Sequence, residues 1–171
     1  MTLEIEMTRQ DYLDYNIYYF LKNRLTPTIV NFLLSLLVLQ LFIHDKKTVS
    51  DMNQVIITSA LYLIIYFLSV YYSLYRSKKI PHENGVILGL KAYDFTDEGV
   101  AYVDKNNRGQ YNWSVVKSIN ESKKAFYLYI DTEVAIVIPK RYFSDELNKH
   151  EFVELVKKNI IVPEINNVNI E

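Results

Sequence analysis

The sequence contains no cysteine, only three histidines, and a net charge of just −1 over 171 residues. The absence of cysteine excludes disulfides and thiolate metal sites and is typical of a domain that folds in a reducing compartment. A charge so close to zero gives no general attraction to polyanions, and no RNA-binding motif occurs, so we expect no nucleic-acid partner. His44, His82 and His150 lie far apart, without carboxylates at metal-ligand spacing and without a glycine-flanked serine nucleophile. We therefore expect no cofactor, no metal site and no enzymatic activity.

Two long apolar runs occupy the first half of the chain. Residues 55–75 are 21 positions without a charged side chain, and a helix of about 20 such residues matches the hydrocarbon core of a bilayer. Residues 28–43 form a second uncharged run, entered through Leu25, Thr26 and Pro27. We predict a transmembrane hairpin over 28–75, with helices at 28–43 and 55–75, in a multi-pass membrane protein.

The flanking charges predict the orientation of this hairpin. Basic residues near the outer ends of the two spans outnumber those of the loop between them, which favours cytoplasmic location of both termini. The outer set is Lys22, Arg24, Arg76, Lys78 and Lys79, against Lys46 and Lys47 in the loop. We expect no cleavable signal sequence, because the first 24 residues are acidic and tyrosine-rich and contain no apolar run.

The segment before the hairpin, residues 1–27, predicts a strand followed by an interfacial helix. Leu3, Ile5 and Met7 alternate with polar residues, as in a half-buried strand that must pair with a sheet elsewhere. We expect that sheet to be formed by residues 86–139. Thr8 and Asp11 resemble a capping box for a helix over 9–24, and Thr26 with Pro27 predicts the start of the next helix.

A polar stripe runs along the second span and predicts a helix–helix contact. Its residues share one face of the helix, and two polar residues of the first span lie at matching depth. The contact could be packing within the hairpin, association of two copies, or docking onto another membrane protein. No charged group in either span supports a transport path. The residues concerned are Asn31, Ser35, Ser59, Tyr62, Tyr66, Ser69 and Ser73.

After Pro81 the chain alternates short strand patterns with turn signals, which predicts a small antiparallel β-domain over 81–160. The predicted strands are 86–95, 100–104, 110–113, 115–120, 125–131 and 134–139. A helix over 145–159 follows, with Leu147, Phe152, Leu155 and Val156 on its apolar stripe, and covers the sheet. Trp113 is expected in the core or at its rim, and residues 161–171 form a tail.

Several of these segments resemble the YcxB-like proteins, a family of small bacterial membrane proteins. The resemblance rests on residues 4–8, 93–99, 111–113, 126–129 and 138–141 with Phe143. The C-terminal half also resembles bacterial pleckstrin-homology-like modules, in which a bent sheet is closed by one helix. The resemblance implies an α+β protein of the bacterial cell membrane, with a transmembrane hairpin and such a β-domain. It implies no established activity, ligand or catalytic residue.

A set of basic residues in the turns of the β-domain is a candidate binding surface. Near a cytoplasmic leaflet each would gain about 1 kcal/mol from anionic lipid. They are Lys105, Arg108, Lys123, Lys124, Lys140 and Arg141. The alternative is that they are solvated surface charges balanced by nearby acidic residues.

We therefore predict a membrane-anchored, non-enzymatic binding or scaffolding protein that contacts anionic lipid or a protein ligand. The alternative is an accessory or regulatory subunit of a larger membrane complex, such as a transporter or stress-response assembly, with the polar stripe as its docking face.

Overall fold

The computed structural model describes residues 1–45, 52–83 and 85–160, which fall into two compact units. One unit combines Met1–Asp11 with the described residues from Pro81 onward, and the other is Tyr12–Ile80. The predicted tail, residues 161–171, and residues 46–51 of the predicted loop lie outside the described residues. The β-domain is therefore assembled from segments that precede and follow the helices.

The helical segments are α1 (Arg9–Tyr19), a π-helical segment (Phe20–Arg24), α2 (Leu25–Asp45) and α3 (Met52–Ser77). The chain stays helical from Arg9 to Asp45, so the predicted helix start at Thr26 is wrong. Pro27 cannot donate to the carbonyl four residues earlier, and the wider π turn directly before it accommodates this defect without ending the helix.

Both long helices are apolar enough to cross a bilayer, over Arg9–Leu41 and Ile56–Ser77. In the most apolar stretch of each, almost no side chains are buried within the described structure. Large apolar side chains are exposed along both, among them Ile29, Val30, Leu33, Leu34, Leu37, Val38 and Leu41 on α2, and Ile56, Leu61, Ile64, Ile65 and Leu68 on α3.

The described residues form seven antiparallel strands in two sheets. β1 (Thr2–Met7), β2 (Gly89–Phe95), β3 (Gly99–Asp104) and β4 (Arg108–Asn112) form the first sheet in that order. β5 (Ser118–Glu121), β6 (Ala125–Tyr129) and β7 (Ala135–Pro139) form the second. The predicted pairing of the N-terminal strand is confirmed, with Ile5 opposite Lys91.

The prediction that one sheet holds all the strands is wrong. A 3-10 turn, Trp113–Val115, follows β4 and interrupts the ladder before β5. The turn buries the Trp113 side chain, as predicted, and its Nε1 donates to the Thr96 carbonyl at 2.9 Å. This indole anchors the corner between the sheets and gives its N–H a partner.

A C-terminal helix, α4 (Glu146–Asn159), covers the core of the domain. Asp145 caps it by accepting from the Asn148 backbone N–H at 2.8 Å. Phe152 is fully buried, with its ring centroid 5.0 Å from Phe95 and 5.3 Å from Phe143. Leu147 is exposed, contrary to prediction, because five residues at 100° each place it on the face opposite Phe152.

Candidate functional site

The candidate site begins at the end of the first sheet where the chain leaves toward the helices. β1 ends at Met7, which is opposite Gly89 at the start of β2. Asp104, the last residue of β3, is opposite Lys91 near the start of β2. The turn from β3 to β4 therefore lies at this same end of the sheet. The turn between β3 and β4 carries Lys105, and Arg108 is the first residue of β4; both are exposed. The sheet register therefore places this basic hairpin beside the departure and return points of the chain.

The other predicted basic residues lie toward the same end. Lys123 and Lys124 occupy the exposed turn between β5 and β6. The Lys140 backbone N–H donates to the Lys124 carbonyl at 2.8 Å. Arg141 donates to the carbonyl of Glu6, the next-to-last residue of β1, at 3.3 Å. We call this region the basic end, comprising Lys105, Arg108, Lys123, Lys124, Lys140 and Arg141.

Two members of the basic end have acidic partners. Arg141 donates to the two oxygens of the Asp11 carboxylate from Nη1 and Nη2, at 2.6 and 2.7 Å. The Cζ atom of Arg141 lies 4.7 Å from the Tyr142 ring centroid. Lys140 pairs with Glu121, and its Nζ lies 4.9 Å from the Phe126 ring centroid. Lipid contact by these two remains a prediction, and each would have to compete with an existing ion pair.

The Asp11 carboxylate is the centre of a small polar network at the start of α1. Its side chain is 9% exposed, whereas that of Arg141 is 48% exposed. Thr8 donates to it from the backbone N–H at 2.9 Å and from the hydroxyl at 2.6 Å, and the Asp11 N–H donates back to that hydroxyl at 3.2 Å. This confirms the predicted capping box.

The network also controls the ionisation of Asp11. Burial alone would raise the pKa of this carboxyl, but hydrogen bonds from Arg141 and Thr8 outweigh burial and lower the pKa below its ordinary value. The hydrogen bonds to Asp11 raise the pKa of Arg141 in turn. The pair is therefore fully ionised near neutral pH. Sequence analysis assigned Asp11 only to the helix cap, because nothing in the local spacing indicates a partner 130 positions away.

Beside the β3–β4 hairpin lies an open groove of about 740 Å³ on the outer face of the first sheet. Leu90 and Val103 line it with exposed side chains. Three acidic residues, Glu4, Glu83 and Asp104, also line it. Within the described part of the chain no three metal-ligating side chains come together, there or elsewhere. Sequence analysis missed this groove because its lining comes from segments that are far apart in the sequence.

The turn next to the groove is held by Asp104. Its carboxylate accepts from the Asn106 and Asn107 backbone N–H groups at 2.8 and 2.7 Å. These hydrogen bonds lower the pKa of Asp104. The carboxylate therefore serves the turn, and Lys105 and Arg108 project from a fixed hairpin.

A second candidate contact lies between α2 and α3, where part of the predicted stripe is found. The Tyr62 hydroxyl donates to Ser35 Oγ at 2.7 Å, and Tyr66 donates to the Thr28 carbonyl at 3.1 Å. Ser59 accepts from the Gln40 side chain at 2.7 Å. These contacts confirm that the middle of the stripe faces the hairpin partner.

The remaining stripe residues do not take part. Asn31, Ser69 and Ser73 are exposed, and the Ser69 hydroxyl donates to the Tyr66 carbonyl of its own helix at 2.7 Å. The expectation that Asn31 and Ser35 face the side of α3 carrying Tyr66 and Ser69 therefore holds for Ser35 and Tyr66 but not for Asn31 and Ser69. The contact is centred instead on Phe32, a buried residue whose ring centroid lies 5.1 Å from Tyr66. Aromatic packing decides the helix rotation, and sequence analysis had considered only the polar positions.

Comparison with known proteins supports the resemblance found in the sequence. Residues 95–156 match the family model described as YcxB-like protein. The chain is 26% identical over 105 residues to the uncharacterised protein YcxB of Bacillus subtilis (strain 168). That alignment covers 61% of this chain and 55% of the relative, so the chain spans about half the relative's length. No solved structure matches the chain significantly.

Proposed function

We propose that this YcxB-like protein is a bacterial membrane-anchored, non-enzymatic binding protein whose β-domain docks on anionic lipid. The observation that carries the proposal is the exposure of large apolar side chains along α2 and α3. Soluble monomers rarely expose such continuous apolar surface, and each helix satisfies its own backbone groups as a bilayer requires. The hairpin is then a transmembrane anchor.

Aromatic and basic side chains at matching ends of the two helices support cytoplasmic termini. Tyr71, Tyr72 and Tyr75 are exposed near the end of α3, next to Arg76. At the other helix, Arg24 lies 5.9 Å from the ring centroid of Tyr19. Tyrosines concentrate at membrane interfaces, and basic residues concentrate on the cytoplasmic side.

The β-domain supports a pleckstrin-homology-like assignment. Four strands and then three form two antiparallel sheets, and the C-terminal helix α4 packs on the shared core. The exposed basic residues at the basic end, Lys105, Arg108, Lys123 and Lys124, would each gain about 1 kcal/mol at an anionic leaflet. Together they would favour docking without any enclosed ligand site.

The alternative, an accessory subunit of a larger membrane complex, has narrower support. Tyr62, Tyr66 and Ser59 already make contacts within the hairpin. Asn31, Ser69 and Ser73 remain exposed. These three positions are where a partner helix or a second copy would bind.

Full-length protein in nanodiscs tests lipid docking. Hydrogen exchange of amides 104–108 and 122–124 should be slower in discs containing phosphatidylglycerol than in phosphatidylcholine discs, and high salt should remove the difference. Lys105→Glu should weaken the protection, whereas Lys157→Glu, the same change at an exposed position of α4, should not. Equal exchange in both lipids would refute docking, and release from membranes by alkaline carbonate would refute the anchor.

A further inference from the structure

We infer that the outer face of the first sheet, beside the basic end, enters the membrane surface: Leu90 and Val103 reach the headgroup–acyl boundary while Lys105 and Arg108 contact lipid phosphates. This inference rests on the proposed membrane anchor and adds a specific insertion surface to it. The occupant is the lipid leaflet from which the hairpin emerges.

The first observation is that large apolar side chains are exposed on the outer face of the sheet, among polar ones. Antiparallel sheets with one face on the core usually present polar residues on the other. Here Ala92 pairs with Val103 on the outer face, and Val103 pairs with Arg108 on the next strand. Val103 is 56% exposed and Leu90 is similarly exposed. The preceding segment adds exposed Val86 and Ile87. Together these exposed apolar side chains form a candidate interaction surface.

Charge and chain connectivity favour lipid as the occupant. Lys105 and Arg108 flank the apolar patch, which gives it the amphipathic character of surfaces that bind at the interface of anionic bilayers. Only residues 78–88 join α3 to β2, and a stretch of that length spans at most about 40 Å when extended. An anchored α3 therefore keeps this patch within reach of the leaflet.

The acidic residues set the limit of the surface. Glu4 and Glu6 lie on β1, opposite Ala92 and Leu90, and Glu83 pairs with Arg9 at 3.5 Å. All three would be unfavourable against anionic headgroups. The face should therefore tilt so that β3 and β4, rather than β1, approach the lipid.

The natural absence of cysteine allows a direct test in the full-length protein. Single cysteines at Val103 and, in a separate variant, Leu90 are labelled with an environment-sensitive fluorophore and placed in anionic nanodiscs with nitroxide-labelled lipid. Val134→Cys is the matched control, because this valine is 52% exposed and lies in the turn at the opposite end of the second sheet. Ile64→Cys in α3 reports the anchor.

We expect positions 103 and 90 to be quenched to about half the extent of position 64, as befits shallow insertion, and position 134 to be unaffected. Quenching at 64 without quenching at 103 or 90 would overturn the insertion surface and leave the anchor intact. Quenching equally strong at 103 and 134 would also overturn it, since no specific face would be involved. No quenching at 64 would refute the anchor on which the inference depends.

Discussion

Replacing Arg141 by alanine should destabilise the β-domain more than removal of any other basic-end side chain. Arg141 joins the short turn after β7 to Asp11, and it also reaches the Glu6 carbonyl of β1. Its loss leaves a carboxylate that is 9% exposed with only the Thr8 hydrogen bonds. An ionised group in that position is costly when it loses its counter-charge.

The expected cost is about 2 kcal/mol. Removal of one partner of a fully buried pair costs about 3–5 kcal/mol, whereas exposed pairs are worth at most about 1 kcal/mol. Arg141 is 48% exposed and water can partly replace it, so an intermediate value applies. Arg141→Lys keeps the charge but loses the two-pronged hydrogen bond, and should fall between alanine and wild type.

The pH dependence gives an independent signature of the same interaction. The folded state lowers the pKa of Asp11 below its ordinary value of 3.8. The stabilisation is therefore fully present above that value and is lost as the pH falls through the lowered pKa. The difference in stability between wild type and Arg141→Ala should be largest near neutral pH and should shrink below about pH 4.

Urea unfolding of the full-length protein in detergent, followed by the fluorescence of Trp113, measures these effects. Trp113 is the sole tryptophan and is buried in the β-domain, so its emission reports that domain. A loss of about 2 kcal/mol lowers the urea midpoint by about 1 M. Arg108→Ala removes an exposed arginine from the same end and serves as the control. If both alanine variants unfold at the same urea concentration, the argument from the Asp11 pair is refuted.

Three further predictions concern topology and packing. In intact cells a cysteine introduced at Ser50, which lies outside the described residues, should react with an impermeant maleimide, and one introduced at Asn107 should not. The reason is that the basic residues flanking the spans favour a loop on the outer side of the membrane. The reverse labelling pattern would contradict this topology. Gly99→Ala should cost at least about 1–3 kcal/mol, because the added Cβ would lie 2.4 Å from the Tyr111 carbonyl oxygen, and unchanged urea unfolding would show that the backbone yields. Ile5→Ala should cost about 2–5 kcal/mol in the same assay, since Ile5 is 1% exposed in the core, and a negligible effect would mean that β1 contributes little to the domain.

Local patterns in the sequence were enough to predict most elements. The alternation of Leu3, Ile5 and Met7 predicts β1, because side chains on a strand alternate between core and solvent. The helix predicted over 145–159 also followed from local signals, and in the structure its first residue, Asp145, is the cap that bonds to a backbone N–H three residues away. These signals depend on neighbours in the sequence and survive any tertiary arrangement.

The features that sequence analysis missed depend on distant residues. Arg141 was grouped with exposed basic residues because its spacing to Asp11 carries no periodic signal. Phe32 looked like one more lipid-facing apolar residue, although its ring packs against Tyr62 and Tyr66. The division into two sheets depends on how Trp113 packs at the corner. Only the packed core distinguishes these arrangements from the alternatives.

The position of β1 before both helices has a consequence for assembly. β1 and β2 pair with each other, yet α1, α2 and α3 lie between them in the chain. Closing a loop costs only about 0.6 kcal/mol for each doubling of its length, so the separation itself is a modest entropic burden. On the proposed topology the entropic cost of pairing β1 with β2 is smaller still, because an inserted antiparallel hairpin returns the chain to the side of the membrane where β1 lies. The first sheet should therefore complete only after α3 has inserted, and the Asp11–Arg141 pair, which needs residues from β1's end and from beyond β7, should form last.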